Sequence, residues 1–154
     1  MTTITLSPIS RLSDSTKDKI VNGIRYICLF LFAYTAYAKI IDHDHFLHGL
    51  TRVHLISGFA VLISFLVPVV EVLVVILLII PRTLKIGLSL FTLIMSAFTI
   101  YIISAMIWEP KLPCHCGGAI EKLSWGQHIW FNIAFIFLAS MGLWLIKSSK
   151  TFKN

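Results

Sequence analysis

Charge is what this sequence has least of: Asp, Glu, Lys and Arg together make up 13% of its 154 residues, about half the share of an ordinary soluble domain. So few charged groups cannot wet a globular surface on all sides, which excludes water as the main solvent of the fold. Cysteine is also sparse, with three residues, and that excludes a disulfide-dense scaffold. Neither an internal repeat nor a low-complexity tract is present, which excludes a solenoid or a disordered linker protein.

What the sequence does have is hydrophobicity, at 57% of residues. It is gathered into four long stretches, 20–41, 59–80, 84–107 and 128–146, each near the roughly 20 residues that cross about 30 Å of hydrocarbon. They predict an all-α integral membrane protein, a four-helix bundle in one membrane domain (20–146), flanked by a polar tail over 1–19 and a basic tail over 147–154. Ala36-Tyr37-Ala38 has the small-x-small form of a signal cleavage site, but three more spans follow it, and the first stretch is read as a retained helix. The lipid bilayer is thus the first partner of the chain.

The net charge of +6 does not point to nucleic acid. Its Lys and Arg residues sit in short flanks and turns between apolar runs, a pattern that encodes topology. The N-terminal flank, Arg82 and Lys85, and Lys147, Lys150 and Lys153 fall on one side; Lys39, Arg52, Lys111 and Lys122 fall on the other. The positive-inside rule then predicts cytoplasmic N and C termini, with the segments between the first and second and between the third and fourth spans facing outward. Trp108, Trp125 and Trp130 lie where an interfacial aromatic belt belongs. Within the first span, Arg25 and Lys39 near its two ends are expected to carry their charges out to the headgroups.

Between the first two spans, residues 42–58 carry Asp42, His43, Asp44, His45, His48 and His54, and admit a short surface helix with Phe46, Leu47 and Leu50 toward lipid. In the second span Glu71 stands near the middle, where an ionised carboxylate is costly, so it must face the bundle. Pro68, one turn earlier, removes a backbone donor and frees the Ser64 carbonyl. The pair marks a candidate intramembrane polar site. Its functional reading is a proton relay or a hydrogen bond to a quinone-like ligand; its structural reading is a bond to Tyr34, Tyr37, Thr92 or Ser96.

The most specific local feature is Pro113-Cys114-His115-Cys116-Gly117-Gly118, between spans three and four. A disulfide bridging a single intervening residue closes a small ring far from relaxed geometry, which favours a labile, exchangeable bond. His115, when protonated, lowers the pKa of an adjacent thiol and so raises its thiolate fraction. A loop-bracing pair is the structural alternative, and a metal site of Cys114, Cys116 and His128 with a histidine from the first loop is a weaker one, since its spacing matches no established zinc pattern. Cys28 lies inside an apolar span, where a thiol acts as a small hydrophobe.

Taken together, Ala38-Lys39-Ile40-Ile41-Asp42, Pro68-Val69-Val70-Glu71-Val72 and Cys114-His115-Cys116-Gly117-Gly118 resemble the MauE-type, methylamine-utilisation branch of the DoxX-like membrane proteins over most of residues 20–146. The resemblance implies a bacterial inner-membrane protein of four helices, tied to redox maturation of exported proteins and working with thioredoxin-like partners. Many members read Phe-Gly after Cys-x-Cys, where this chain has Gly117-Gly118. The function expected is a thiol–disulfide relay at Cys114 and Cys116; the alternative is a non-catalytic membrane subunit, or a protein that binds a small quinone-like ligand near Glu71.

Overall fold

The computed structural model describes residues 13–53, 56–108 and 124–148. Among these, four helices are long and apolar enough to cross a membrane: α1 (Asp14–Ile41), α3 (Ala60–Ile79), α4 (Leu84–Trp108) and α5 (Trp125–Ser148). A short helix, α2 (His43–Thr51), lies between the first two. The chain is therefore a multi-pass membrane protein built on helices, as its composition requires, because only a helix satisfies every backbone polar group within one segment in lipid.

Three of the spans fall within a few residues of the apolar stretches that predict them. The first begins earlier, at Asp14 rather than Ile20. Asp14 places a negative charge in the first turn, where the helix dipole favours it, and Lys17 pairs with it at 3.3 Å. The apolar face then starts at Val21 and Ile24, so the polar turn ahead of it is an extension of the same helix.

α1 packs against α3 and α5, and α4 packs against the same two, while α1 and α4 scarcely meet. The spans thus form a ring in the order α1, α3, α4, α5, with neighbours antiparallel. The main core fills the half of the ring nearer the chain ends and includes Val21, Ile24, Phe32, Val74, Leu88 and Phe91. Gly142 makes this approach close: a Cβ there would stand 3.2 Å from Ile24 and 3.4 Å from Leu88. Cys28 is fully buried in this core with a free thiol.

Two expectations about the first loop and its flanks need correction. Phe46 and Leu50 of α2 do not face lipid; they are buried with Ala60 in a second, smaller core, flanked by Leu47, Ile63 and Val67. Nor does Arg25 reach for the headgroups. Its Nε donates to the Leu78 carbonyl at 2.5 Å and its Nη2 donates to that of Ile79, so the guanidinium caps the C-terminus of α3. Those carbonyls have no intrahelical partner, and a cation at the negative end of the helix dipole satisfies both needs at once.

Candidate functional site

Glu71 is 1% exposed, and its partner is not a hydroxyl but Lys39 of α1. The Lys39 Nζ donates to both carboxylate oxygens, at 2.8 and 3.1 Å. The Thr35 hydroxyl donates to the Phe32 carbonyl of its own helix, at 3.2 Å. Thr92 and Ser96 instead donate to the carbonyls of Leu88 and Thr92, one helical turn back, and Tyr37 is 64% exposed. The hydroxyl-bonded arrangement expected for Glu71 is thus replaced by an ion pair.

Helix geometry explains why Lys39 turns inward, although it lies two residues from the end of α1. Side chains lean toward the N-terminus of their own helix. On α1 that direction leads down into the bundle, and Lys39 Nζ lies 3.5 Å from the Thr35 carbonyl, four residues back. On the antiparallel α3 the same rule tilts Glu71 the other way, so the two heads approach each other. Carrying the amine to the headgroups would have left Glu71 alone in a region where an isolated charge costs several kcal/mol.

The ammonium is also enclosed by rings. Phe46 of α2 stands 5.7 Å from it and Phe98 of α4 stands 5.8 Å away, both within cation–π range. One amine therefore touches four elements: the Thr35 carbonyl on α1, Phe46 on α2, Glu71 on α3 and Phe98 on α4. Pro68 is buried one turn from Glu71, on the same face, with Ser64 a further turn on. Ser64 spends its hydroxyl on the Val61 carbonyl at 2.8 Å.

Two further buried polar residues share this depth, and one of them, Thr99, spends its hydroxyl on the Met95 carbonyl at 2.8 Å. Gly142 touches Ile24 and Leu88. Ten residues outward from each, about 15 Å along the helices, lie Asn132, Tyr34 and Phe98. Asn132 is 7% exposed and Thr99, beside Phe98, is 9% exposed. The bundle thus carries a polar layer with a contribution from every spanning helix: Thr35 and Lys39, Glu71, Thr99, and Asn132. The available signal was weak, a single amide in the otherwise apolar stretch of α5 and a Thr among many on α4.

Cys114, His115 and Cys116 lie outside the described residues. The segment that holds them joins the end of α4 to the start of α5, the end of the ring that also carries α2. His128 lies in the first turn of α5 and is half-buried. On α2, the His43 ring lies against that of Phe65, tilted by 34° with centroids 4.5 Å apart, and His45 lies 3.7 Å from Asp42. Among the described residues no three His, Cys, Asp or Glu side chains gather as a metal site.

Comparison with known proteins gives a family match. The model of the family described as methylamine utilisation protein MauE matches residues 17–145, which spans all four membrane helices and the cysteine segment. Neither a curated protein nor a solved structure matches the chain.

Proposed function

The chain belongs to the methylamine utilisation protein MauE family, and from that premise we propose that it is a thiol–disulfide relay supporting the maturation of exported proteins at a bacterial cytoplasmic membrane. The observation that carries this reading is the Cys114-His115-Cys116-Gly117-Gly118 motif in the segment between α4 and α5. The distribution of Lys and Arg supports cytoplasmic termini and hence an outward-facing cysteine pair, in the compartment where disulfides persist. Cys114 and Cys116 cycle between dithiol and disulfide. In exchange with a thioredoxin-like partner, a thiolate attacks the disulfide sulfur, a mixed disulfide forms, and a second thiol resolves it. One S–S bond breaks as another forms, and two electrons and two protons pass between the proteins. His115 raises the thiolate fraction.

Differential alkylation in intact cells tests both side and chemistry. After reduction, a membrane-impermeant maleimide is expected to label positions 114 and 116 from outside, and a mild oxidant pulse is expected to abolish the labelling. Reactivity from the cytosolic side alone defeats the topology on which the relay depends. A second reading is favoured by the Lys39–Glu71 pair, which is buried and satisfied as a structural brace would be: a non-catalytic membrane subunit whose cysteines only hold a loop. It wins if the Cys114→Ser, Cys116→Ser double variant keeps full activity in cells.

A further inference from the structure

Arg25 caps α3 with part of its guanidinium and keeps all of its charge. The Nε and Nη2 atoms each donate to a backbone carbonyl, of Leu78 and Ile79 respectively, which uses two of the five N–H groups a guanidinium carries. Thr83 extends the cap, its hydroxyl donating to the Leu77 carbonyl at 2.8 Å. Arg25 enters none of the ion pairs among the described residues. A planar cation with N–H groups to spare and no counter-ion is suited in shape and charge to a phosphate.

The length of α3 fixes the depth of this cation. Its 20 residues rise about 30 Å, the thickness of bilayer hydrocarbon, so a group bound to its last carbonyls stands at the hydrocarbon edge, where lipid phosphates begin. Pro81-Arg82-Thr83 then turns the chain, and Arg82 and Lys85 are exposed beyond it. The Tyr26 ring, 61% exposed, lies 5.5 Å from the guanidinium carbon, within cation–π range. Further into the bilayer Ile27 and Phe30 on α1 and Leu73 and Ile76 on α3 are exposed, an apolar surface for acyl chains.

The acids of the chain stand elsewhere. Of its seven Asp and Glu residues, Asp42 and Asp44 belong to the end that carries α2, Glu71 is paired with Lys39, and Glu109 and Glu121 lie between α4 and α5. Asp14 and Asp18 share the end of Arg25, but they lie three and two turns away along α1, and Asp14 pairs with Lys17 at 3.3 Å. Against them stand Lys17, Lys19, Arg82, Lys85 and Lys147. The counter-charge for Arg25 therefore comes from outside the chain.

We propose that Arg25 seats the phosphate of an anionic phospholipid where α1 meets the end of α3, its remaining N–H groups donating to two phosphate oxygens. A zwitterionic lipid offers the same phosphate but brings an ammonium of its own, which Arg82 and Lys85 repel, so the net-negative headgroup is the one selected. The lipid closes the cap from the bilayer side and holds together the two helices that also carry Lys39 and Glu71. The site stands independently of the thiol chemistry.

The test uses the full chain in phosphatidylcholine nanodiscs containing a minor share of phosphatidylglycerol, with the lipids retained on the released protein counted by native mass spectrometry. The wild type is expected to retain phosphatidylglycerol in preference to phosphatidylcholine by about tenfold, the worth of one charge-assisted contact. Arg25→Leu, checked for folding by circular dichroism, is expected to lose that preference, and Lys85→Gln, which removes an equal charge from an exposed position, is expected to lose much less of it. Arg25→Lys keeps the charge without the fork and decides the matter where Arg25→Leu does not fold; a severalfold drop is expected. Equal retention of the two lipids by the wild type overturns the site. So does an Arg25→Lys preference equal to the wild type's, or an equal loss in Lys85→Gln and Arg25→Leu, which assigns the effect to diffuse surface charge. Inorganic phosphate added in solution is expected to displace none of the retained lipid, and displacement overturns the assignment to a headgroup in favour of a free anion.

Discussion

Replacing Lys39 by Met removes the cation that Glu71 pairs with among the described residues, while keeping a long, apolar stem for Phe46 and Phe98 to pack on. The carboxylate it leaves behind is 1% exposed and has given up two hydrogen bonds, at 2.8 and 3.1 Å. Breaking a buried pair by removing one partner costs about 3–5 kcal/mol, because the other charge is then uncompensated. The membrane-embedded unfolded state finds partners of its own, which favours the lower end of that range, about 3 kcal/mol or a hundredfold in the folding equilibrium. Removing both heads together, Lys39→Met with Glu71→Leu, leaves no orphaned charge and is expected to fall within ~1–2 kcal/mol of the wild type. The measurement is reversible unfolding in mixed micelles titrated with dodecyl sulfate, followed by circular dichroism. Strong coupling, in which the double variant is more stable than either single variant, is the signature sought. If Lys39→Met costs no more than Lys85→Met at an exposed position, or if the single effects simply add, the ion pair does not exist as described.

Arg25→Leu withdraws the guanidinium from the Leu78 and Ile79 carbonyls and is expected to destabilise the protein by about 1.5–3 kcal/mol, with faster amide exchange in the last turn of α3. Arg25→Lys keeps the charge but loses the fork and should recover only part of this. Gly142→Leu drives a branched side chain into Ile24 and Leu88 and is expected to cost ~1–3 kcal/mol in the same titration, with Gly142→Ala much milder because a single methyl needs only a small shift. Cys28, fully buried, is expected to resist even membrane-permeant maleimides until the bundle unfolds, so that its labelling rate follows the unfolding rate.

The four spans were readable because lipid enforces a simple rule: a segment that crosses it must be helical, apolar and about 20 residues long. The start of α1 was not, since the turn from Asp14 to Lys19 is polar and its helicity comes from continuity with the apolar face beyond it, together with a favourable first-turn charge. The burial of Phe46 and Leu50 was hidden for a related reason. Nine residues of amphipathic helix lie equally well on a bilayer or on another helix, and only the position of Ala60 and Ile63 on α3 decides between them.

At the candidate site the sequence identified the acid but misjudged its partner, and the reason lies in how far a lysine can travel. A lysine two residues from the end of a span reads as a headgroup anchor, because its four-carbon stem is long enough to reach water. The same stem reaches about as far inward, and which way it goes depends on what waits at each end. Here the outward direction offers solvation of one charge; the inward direction offers neutralisation of two, one of which has no route to water. The preference of helical side chains for their own N-terminal direction adds to that balance on α1 and, because α3 runs the other way, on Glu71 as well. Opposite charges on two consecutive antiparallel spans are therefore better read as a pair than as one anchor and one stranded acid.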